Sequence, residues 1–578
     1  MAIGPAPKAL QAADKPIRYR VRITGVEDRR LRREIRNVSV MHALSGRPPV
    51  SELQLQRRAR RDPPLFTQIL RNHGFYQAQV ETRIDIARRR PRVRYKVLPG
   101  PVYQIRNVTL LSTDPSVQMP AAADIGLQSG QAALAARILA GDGEIVRILR
   151  TQGYALARVI AREVIVIHAE QALDVQFEIE PGSTYRFGET TFHGLQNVQA
   201  AAVRKKLPWA AGDPFDGHSL ALARRRLIAA DLFRAVRLVT EEERAGDLLP
   251  ISVELSERKH RSVTLGFGYA NDEGWRARAG WAHRNLLRNG ERLSLDYGIS
   301  EIAQGGELAF KRPDFGRVDQ NVYLALQQEL EDTLAYRSNK YGALVRIERL
   351  TNNTRMYGIG LGMRYSSVRD AKGRQAFQLL YIPITMEQDR SDNLLDPRSG
   401  TRLTLGVAPY WDTLDTQILF IKPRASLAVY HPLSRRKELD WAGRITLAAI
   451  VGQSRNNIPA DERYYAGGGG SIRGYPFQSV GPLDRRTPTG GRSLFLFSQE
   501  LRWRWSETMG MVAFIDGGAV TEEALFDPTG DDIRWGTGIG FRYFTPIGPL
   551  RIDAAVPIDR RKDIDDPWQF YISLGQAF

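Results

Sequence analysis

The sequence ends in WQFYISLGQAF, residues 568–578, and this stretch gives the clearest structural signal in the chain. Because successive side chains of a β-strand point to opposite faces, an extended conformation divides the stretch in two. One face is apolar and consists of Trp568, Phe570, Ile572, Leu574 and Phe578. The other consists of Gln569, Tyr571, Ser573, Gly575 and Ala577. An apolar face with aromatic residues near both ends is typical of a lipid-facing barrel strand, and the alternative is a core strand of a soluble β-sandwich.

The same alternation recurs throughout the second half of the chain. About 16 alternating segments follow one another from Arg261 to the end, separated by turn clusters such as DPRSG at 396–400. This number is too large for a sandwich, and closure into a barrel is the way to satisfy sheet edges in lipid. The sequence therefore predicts a transmembrane 16-stranded antiparallel β-barrel, with the even strand number of bacterial barrels.

The first 260 residues contain a repeat of roughly 80 residues. Phe75, Tyr154 and Phe233 are spaced 79 residues apart. Each follows an amphipathic helical segment and precedes two alternating strands. We therefore predict three periplasmic α/β modules of β-α-α-β-β order in front of the barrel. The predicted boundaries are an N-terminal linker at 1–16, modules at 17–100, 101–182 and 183–260, and the barrel at 261–578 with an inward-folding loop at about 454–492.

The composition excludes several classes of site. The chain has no Cys, which excludes disulfides, thiolate metal sites and Cys nucleophiles. Its eight His show no metal-ligand spacing, and no catalytic motif is present. We therefore expect neither an enzyme nor a cofactor or metal requirement.

The net charge of +18 comes with arginine runs such as RRARR at 57–61, but no nucleic-acid-binding motif accompanies them. The runs are interpreted as solvated surface, with anionic lipid or an acidic partner as the alternative and no nucleic acid. No apolar run approaches the roughly 18–20 residues of a membrane-spanning helix. The N-terminus also lacks the pattern of a signal peptide. Given the barrel, we expect that a signal peptide has been removed from this chain.

One segment of the predicted long loop, GGGGSIRGY at 467–475, combines extreme backbone freedom with a single arginine. A phosphate-binding loop would need a following helix and a Lys-Ser/Thr pair, which this segment lacks. A flexible surface loop with an incidental arginine is the other alternative. Connections of nearly 40 residues in compact domains are usually functional or disordered, which favours a function.

Strand parity indicates what this arginine meets. A charge is costly on the lipid face of a barrel, so Asp516 and Glu500 should point into the lumen. A guanidinium group that folds inward can form bidentate bonds with either carboxylate and lie against Phe514 or Tyr475. We expect Arg473 to act as a structural latch in this way, with Asp516 as its main partner.

Three motifs resemble a family of outer-membrane assembly proteins. They are IRGY at 472–475, FIDGGAV at 514–520 and RYFTPIGPLRIDAAVP at 542–557. Together with the modules, the barrel and the terminal Phe, they resemble the superfamily of BamA, TamA and the two-partner secretion transporters. The repeats resemble polypeptide-transport-associated (POTRA) domains. The module count of three favours the TamA branch, because BamA-like proteins typically carry five and two-partner secretion transporters two.

The resemblance implies a bacterial outer-membrane protein that assists the insertion or secretion of β-barrel proteins such as autotransporters. The implied partners are a TamB-like protein anchored in the inner membrane, which docks on the N-terminal modules, unfolded outer-membrane clients and the outer-membrane lipid. The resemblance also implies that the loop folds into the lumen and that its arginine meets the acidic motif. The implied latch residues are Arg473, Gly474, Tyr475, Phe514, Asp516 and Glu500.

The family's proposed mechanism places a lateral gate at the seam between the first and last barrel strands. Gly266, Gly268 and Gly575 weaken this seam, because a glycine in a strand packs nothing, and Phe578 ends it. The alternative is that these glycines only fit the curvature of the barrel. Two other functions remain: a two-partner secretion transporter, which needs an N-terminal plug helix, and a passive porin, which has no need of three modules.

Overall fold

The computed structural model describes residues 16–88, 90–241, 246–271, 274–352, 354–415, 417–434, 438–527, 533–545 and 548–574. The chain forms two compact units. The first consists of Met1–Thr191, Leu207–Arg225 and Arg237–Glu254. The second consists of Phe192–Lys206, Arg226–Val236 and Leu255–Phe578. In the described residues, no helix has both the length and the apolar character needed to cross a membrane.

The first module is a three-stranded sheet packed on helices. Its elements are β1 (Arg20–Thr24), α1 (Arg29–Val38), α2 (Val40–Ala43), α3 (Glu52–Ala59), α4 (Asp62–Asn72), β2 (Gln79–Asp85) and β3 (Arg92–Leu98). The strand order is β1-β3-β2, with β1 parallel to β3. The central strand buries Val93, Tyr95 and Val97 in the core, where Tyr95 meets Phe66 of α4 edge to face at 5.0 Å between ring centroids.

The second and third modules repeat this arrangement, with the third strand at the centre of each sheet. The second contains β4 (Gln104–Ser112), α5 (Ala135–Thr151), β5 (Arg158–Ile167) and β6 (Ala172–Glu180), in the order β4-β6-β5. The third contains β7 (Arg186–His193), α6 (Ala200–Arg204), α7 (Gly217–Ala229), β8 (Phe233–Thr240) and β9 (Leu248–Glu257), in the order β7-β9-β8.

These modules confirm the predicted α/β class, but the predicted β-α-α-β-β order holds only in the third. The first module has four helices, two of them short. In the described part of the second, a single α-helix forms, and turns replace the other one. Pro115 and Pro120 lie in that segment, and a proline removes a helical hydrogen bond and clashes with the preceding turn. Gly126 and Gly130, at φ +76° and +82°, then take left-handed turn conformations.

The second half of the chain forms a closed antiparallel barrel whose strands neighbour one another in chain order. Its first strands are β10 (Arg261–Ala270), β11 (Gly274–His283), β12 (Arg292–Ser300), β13 (Ala303–Arg312), β14 (Gln320–Asp332), β15 (Arg337–Thr351), β16 (Arg355–Asp370), β17 (Gly373–Tyr381), β18 (Ile384–Asp389), β19 (Gly400–Asp412), β20 (Leu419–Pro432) and β21 (Leu439–Ala449). A small hairpin of β22 (Leu483–Asp484) and β23 (Thr487–Pro488) lies outside the barrel sheet. The barrel continues with β24 (Ser493–Arg504), β25 (Met509–Thr521), β26 (Arg534–Thr545), β27 (Gly548–Pro557) and β28 (Gln569–Leu574).

The segments β17 and β18 are two parts of one barrel strand. Both pair with β16 on one side and with β19 on the other, and only Ile382 and Pro383 separate them. Proline has no backbone N–H and interrupts the ladder at this point. Counted this way, the described residues form the 16 strands that the sequence predicts.

Burial alternates along the barrel strands as the sequence pattern requires. In β28, Gln569 and Tyr571 are buried, whereas Trp568, just before the strand, is exposed. In β10, Val263, Leu265 and Phe267 are exposed on the outer face. The outer face therefore carries the apolar side chains that a lipid-facing barrel requires.

Candidate functional site

The connection between β21 and β24, residues 450–492, lies inside the barrel. Two 3₁₀ turns, at Arg455–Asn457 and Ala460–Glu462, follow β21, and the β22–β23 hairpin lies near the end of the connection. Its side chains and backbone contact inward-facing residues of strands in separate parts of the barrel wall, from β15 to β28. The structure thus places the predicted loop in the lumen.

Arg473 lies at the centre of this loop and is 2% exposed. Its Nε donates to Oδ2 of Asp516 at 2.6 Å and its Nη2 to Oδ1 at 2.9 Å, which is a bidentate pair. The backbone N–H of Arg473 also donates to Asp516, at 3.2 Å. Its Nη1 donates to Oε1 of Glu500 at 2.9 Å. Both predicted carboxylates therefore contact the arginine, and Asp516 makes the larger number of bonds.

A third carboxylate, which the sequence analysis did not single out, completes the cluster. Oδ2 of Asp553 accepts from Arg473 Nη1 at 3.2 Å and from Arg551 Nε at 2.8 Å. Asp553 also pairs with Arg542. The parity of β27, with Arg551 and Asp553 buried and Leu550 exposed, is the signal that would have found it. Three strands, β24, β25 and β27, thus converge on one guanidinium group.

An aromatic ring supports the arginine from one side. Cζ of Arg473 lies 3.5 Å from the ring centroid of Phe514, which is a close cation–π contact. Gly538 of the neighbouring strand makes room for this ring, since a Cβ atom at that position would lie 2.5 Å from Phe514 Cζ. Tyr475, the other predicted aromatic partner, points elsewhere: its hydroxyl donates to the Trp535 carbonyl at 3.1 Å.

The glycines of the loop permit its tight path. Gly467 and Gly468 have φ values of +108° and +90°, which side-chain-bearing residues rarely adopt. Gly474, at φ +101°, passes so close to β27 that a Cβ atom would lie 2.8 Å from the Val556 carbonyl group. Its N–H donates to the hydroxyl of Tyr571 at 3.2 Å, which joins the loop to the last barrel strand.

A second buried charge cluster holds the start of the loop against another part of the wall, at β16 and β20. Glu462, which is 3% exposed, pairs with Arg364 of β16 and with Lys422 of β20, the latter at 2.9 Å. The neighbouring Asp461 accepts from the Ser338 hydroxyl of β15 at 2.9 Å. This cluster is not among the predicted site residues, although two adjacent carboxylates beside aromatic residues in the loop, DERYY at 461–465, are a signal for it.

The environment acts in opposite directions on these two carboxyl groups. Burial and the adjacent Glu462 raise the pKa of Asp461 above its usual range. Burial also tends to raise the pKa of Glu462, but the positive charges of Lys422 and Arg364 hold it below its usual range. Glu462 is therefore the group that the two cations hold ionised, and Asp461 adds a hydrogen bond to the Ser338 hydroxyl.

In the described part of the chain, β10 forms fewer pairs with the last strand than with β11 on its other side. Ten residue pairs join β10 to β11. In the described residues, the ladder between β10 and β28 contains two pairs, Tyr269 with Ile572 and Ala270 with Tyr571. A contact of Asn271 with Phe570 extends it by one residue, with Phe570 N donating to Asn271 Oδ1 at 2.8 Å.

The predicted seam glycines occupy only part of this junction. Gly266 and Gly268 lie on β10, opposite Arg278 and Arg276 of β11. A Cβ atom at Gly268 would collide with the Arg276 side chain, so this glycine makes space for that arginine. Gly575 and Phe578 lie outside the described residues.

Comparison with known proteins agrees with this architecture. A family model described as the Omp85 superfamily domain matches residues 285–578. The chain is 23% identical over 548 residues to the outer membrane protein assembly factor BamA of Nitratidesulfovibrio vulgaris, covering 90% of this chain and 68% of that protein. It is 23% identical over 499 residues to the BamA of Neisseria meningitidis serogroup B, covering 75% of this chain and 62% of that protein. The chain therefore spans about two thirds of the length of these relatives.

A solved structure gives the same result for the fold. The crystal structure of BamA from Haemophilus ducreyi lacking POTRA domains 1–3 matches with a TM-score of 0.63 at 18% identity, covering 82% of this chain and all of that one. The family model alone accounts for just over half of the present chain. On this evidence, the protein is a member of the Omp85 superfamily.

Proposed function

We propose that this protein is an outer-membrane factor that assists the insertion or secretion of β-barrel proteins, with its modules in the periplasm. Its membership of the Omp85 superfamily supports this function, as does its similarity to proteins named outer membrane protein assembly factors. In this proposal the partners are unfolded outer-membrane clients and the surrounding lipid, and the chain performs no enzymatic reaction.

The unequal pairing of β10 is the observation that carries the proposal. This strand forms ten residue pairs with β11 and two with the described part of β28. An incompletely paired strand edge can template a client strand through main-chain hydrogen bonds. We assign the lateral seam to this junction and include in it Gly266, Gly268, Gly575 and Phe578.

The loop arginine has a structural role in this proposal. Arg473, Asp516 and Glu500 form the latch that holds the loop in the lumen and the barrel in its closed form. Phe514 supports the guanidinium group, and the residues that follow the arginine, Gly474 and Tyr475, fit the loop against the wall. Support comes from the burial of the cluster and from its bidentate geometry.

At a finer level, we propose a translocation and assembly role of the TamA type, with autotransporters among the clients. The three modules support this assignment, and a TamB-like protein anchored in the inner membrane is the partner that would dock on them. Purification in mild detergent, followed by identification of co-purifying proteins, tests the assignment. Recovery of a single large exoprotein without an inner-membrane partner would favour a two-partner secretion transporter instead.

A covalent lock across the seam tests the main proposal. Because the chain has no Cys, the double variant Tyr269→Cys/Ile572→Cys introduces one defined pair at directly opposed positions. The oxidised protein should fail to insert a β-barrel client into proteoliposomes, and reduction should restore insertion. The matched control is Leu308→Cys/Leu326→Cys, which places the same pair across the fully paired junction of β13 and β14.

The control lock should leave insertion unchanged. Full client insertion by the oxidised seam variant would refute the proposal. Ion conductance by a wild-type protein that has no effect on clients would indicate a passive porin.

A further inference from the structure

The first module holds most of the net charge of the chain. Residues 17–100 contain 21 basic and seven acidic residues, a net charge of +14, compared with +18 for the whole chain. The other 494 residues together carry only +4. A local charge of this size produces a potential that attracts anionic partners.

Six of these basic residues and two of the acidic ones lie on one face of the sheet, which gives that face a net charge of +4. Val93, Tyr95 and Val97 of β3 are buried against the helices, so the alternate residues Arg94 and Lys96 point away from them. We call this outward side the arginine face. Its basic residues are Arg20, Arg22, Arg83, Arg92, Arg94 and Lys96. Its acidic residues are Glu81 and Asp85.

Three arginines form a row across all three strands of this face. The register places Arg94 of β3 beside Arg22 of β1 on one side and Arg83 of β2 on the other. Because neighbouring strands are about 4.8 Å apart, the central arginine lies between two like charges. Among the described residues, no carboxylate forms an ion pair with any of the three, since Glu81 pairs with Lys96 and Asp85 with Arg88.

Such a row lowers the stability of the free module. Like charges at directly opposed positions destabilise a sheet. The repulsion is relieved when an anion lies over the row, because guanidinium groups bind phosphate and carboxylate oxygens through paired N–H donors. The row should therefore be more stable when an anion is bound over it than when it is free.

We propose that the arginine face binds the phosphate headgroups of an anionic phospholipid bilayer. The middle of the face is entirely polar, and its one large exposed apolar residue, Leu98, lies at the end of β3. A specific protein interface is built around a buried apolar or aromatic centre, which this face lacks. A headgroup layer requires only a cluster of basic side chains. This contact is separate from the barrel and does not depend on the function proposed above.

Vesicle binding by the full chain tests the proposal. The protein is placed in nanodiscs of neutral phosphatidylcholine and mixed with vesicles of phosphatidylcholine, with or without 30% phosphatidylglycerol (about the content that gives a clear surface potential). Wild-type protein should float with the anionic vesicles only, and high salt should release it. The triple variant Arg22→Gln/Arg83→Gln/Arg94→Gln should bind roughly 100-fold more weakly, given the contribution of each basic residue near an anionic surface.

The matched control removes the same charge elsewhere. Arg150→Gln/Arg224→Gln/Arg225→Gln changes three exposed arginines of the other two modules and should bind within about threefold of wild type. A second readout is independent of vesicles: Arg94→Gln should raise the melting temperature in neutral nanodiscs, because it removes the like-charge contacts.

Three results would overturn the proposal. They are unchanged vesicle binding by the row variant, an equal loss in the control variant, and equal binding of wild type to neutral vesicles. Binding of wild type to polyglutamate but not to anionic vesicles, with loss in the row variant, would assign the face to an acidic protein instead of a membrane.

Discussion

Cζ of Arg473 lies 3.5 Å from the ring centroid of Phe514, while the same guanidinium group holds the carboxylate of Asp516. The two partners are two residues apart on β25, so their side chains share the inner face of one strand. The planar group is therefore held in its plane by a carboxylate and across its plane by a ring. Both contacts require the planar guanidinium group of an arginine, and the first prediction rests on this geometry.

Two substitutions of Arg473 should separate the contribution of its charge from the contribution of its planar geometry. Arg473→Ala leaves buried carboxylates without their cation and should cost on the order of 3–5 kcal/mol of barrel stability. Arg473→Lys keeps the charge but loses the bidentate fork and the stacking, and should cost about 2 kcal/mol. Heat-modifiable mobility of the folded barrel, titrated against urea, measures both. The control, Arg486→Ala at the exposed hairpin of the same loop, should match wild type, and equal stability of Arg473→Ala would contradict a structural latch.

Substitution of Gly538, which lies against the Phe514 ring, should also destabilise the barrel, though less than loss of the arginine. In Gly538→Ala the new methyl group meets the ring of Phe514 at 2.5 Å and comes closer still to the Ala554 carbonyl oxygen. Because both neighbours are packed, we expect a loss of about 1–3 kcal/mol and a displaced ring. Gly470→Ala, where nothing lies within 4 Å, is the control in the same denaturation assay. If the two variants were equally stable, the close packing around Arg473 would be wrong.

The hydroxyl group of Tyr571, on the last strand, should help to hold the lumen loop in place. Tyr571→Phe removes the acceptor of the buried Gly474 N–H, and an unsatisfied buried donor costs about 1–3 kcal/mol. Limited proteolysis of the lumen loop in folded protein should become faster. Tyr543→Phe on the exposed outer face of β26 serves as the control. Unchanged proteolysis in Tyr571→Phe would show that the loop does not depend on this bond.

Low pH should weaken the contact between the Glu257 carboxylate, at the end of the third module, and the backbone of residues 196–198. This side chain is 7% exposed, and the backbone N–H groups of Gln196, Asn197 and Val198 donate to its carboxylate at 2.8–2.9 Å. Burial raises the pKa of Glu257, but these donors outweigh burial and lower it to about 2. A depressed pKa means that the stabilisation is complete above the ordinary value, 4.5, and is lost as the pH falls towards about 2.

Comparison of two variants across that pH range tests this assignment. Glu257→Gln should lower the melting temperature at pH 6, and its difference from wild type should shrink as the pH falls from about 4.5 to about 2. Glu254→Gln, on the same strand but with an exposed side chain, should show no such pH dependence. A constant difference between Glu257→Gln and wild type at all pH values would contradict the role of the charge.

The alternation of side chains within single strands was enough to predict two of the three carboxylates around Arg473. Burial of Glu500 and Asp516 follows from the cost of a charge on the lipid face, and that argument needs only the alternation within one strand. The third carboxylate, Asp553, obeys the same rule, but its contact with Arg473 depends on the height at which β27 lies in the barrel. That height is set by the hydrogen-bond stagger around the whole closed sheet, which alternation does not contain.

The second anchor of the loop illustrates the same limit. Glu462 meets Arg364 and Lys422, which lie about 100 and 40 residues earlier in the chain on non-adjacent strands. No periodic pattern links such positions, because barrel closure alone brings them together. The predicted number of helices in the second module is wrong for a different reason. Its prolines prevent helix formation locally, even though the repeat predicts a helix at that position.

Tyr571 takes part both in the seam and in the anchoring of the lumen loop. It forms one of the two described pairs of the seam, with Ala270, and its side chain accepts the N–H of Gly474 in the lumen loop. Separation of the first and last strands and release of the loop are therefore thermodynamically linked. By reciprocity, strand separation lowers the free energy of loop release by the same amount that loop release lowers the free energy of strand separation. In the function proposed above, a client that opens the seam would thereby affect the interior of the barrel without any ligand passing between the two places.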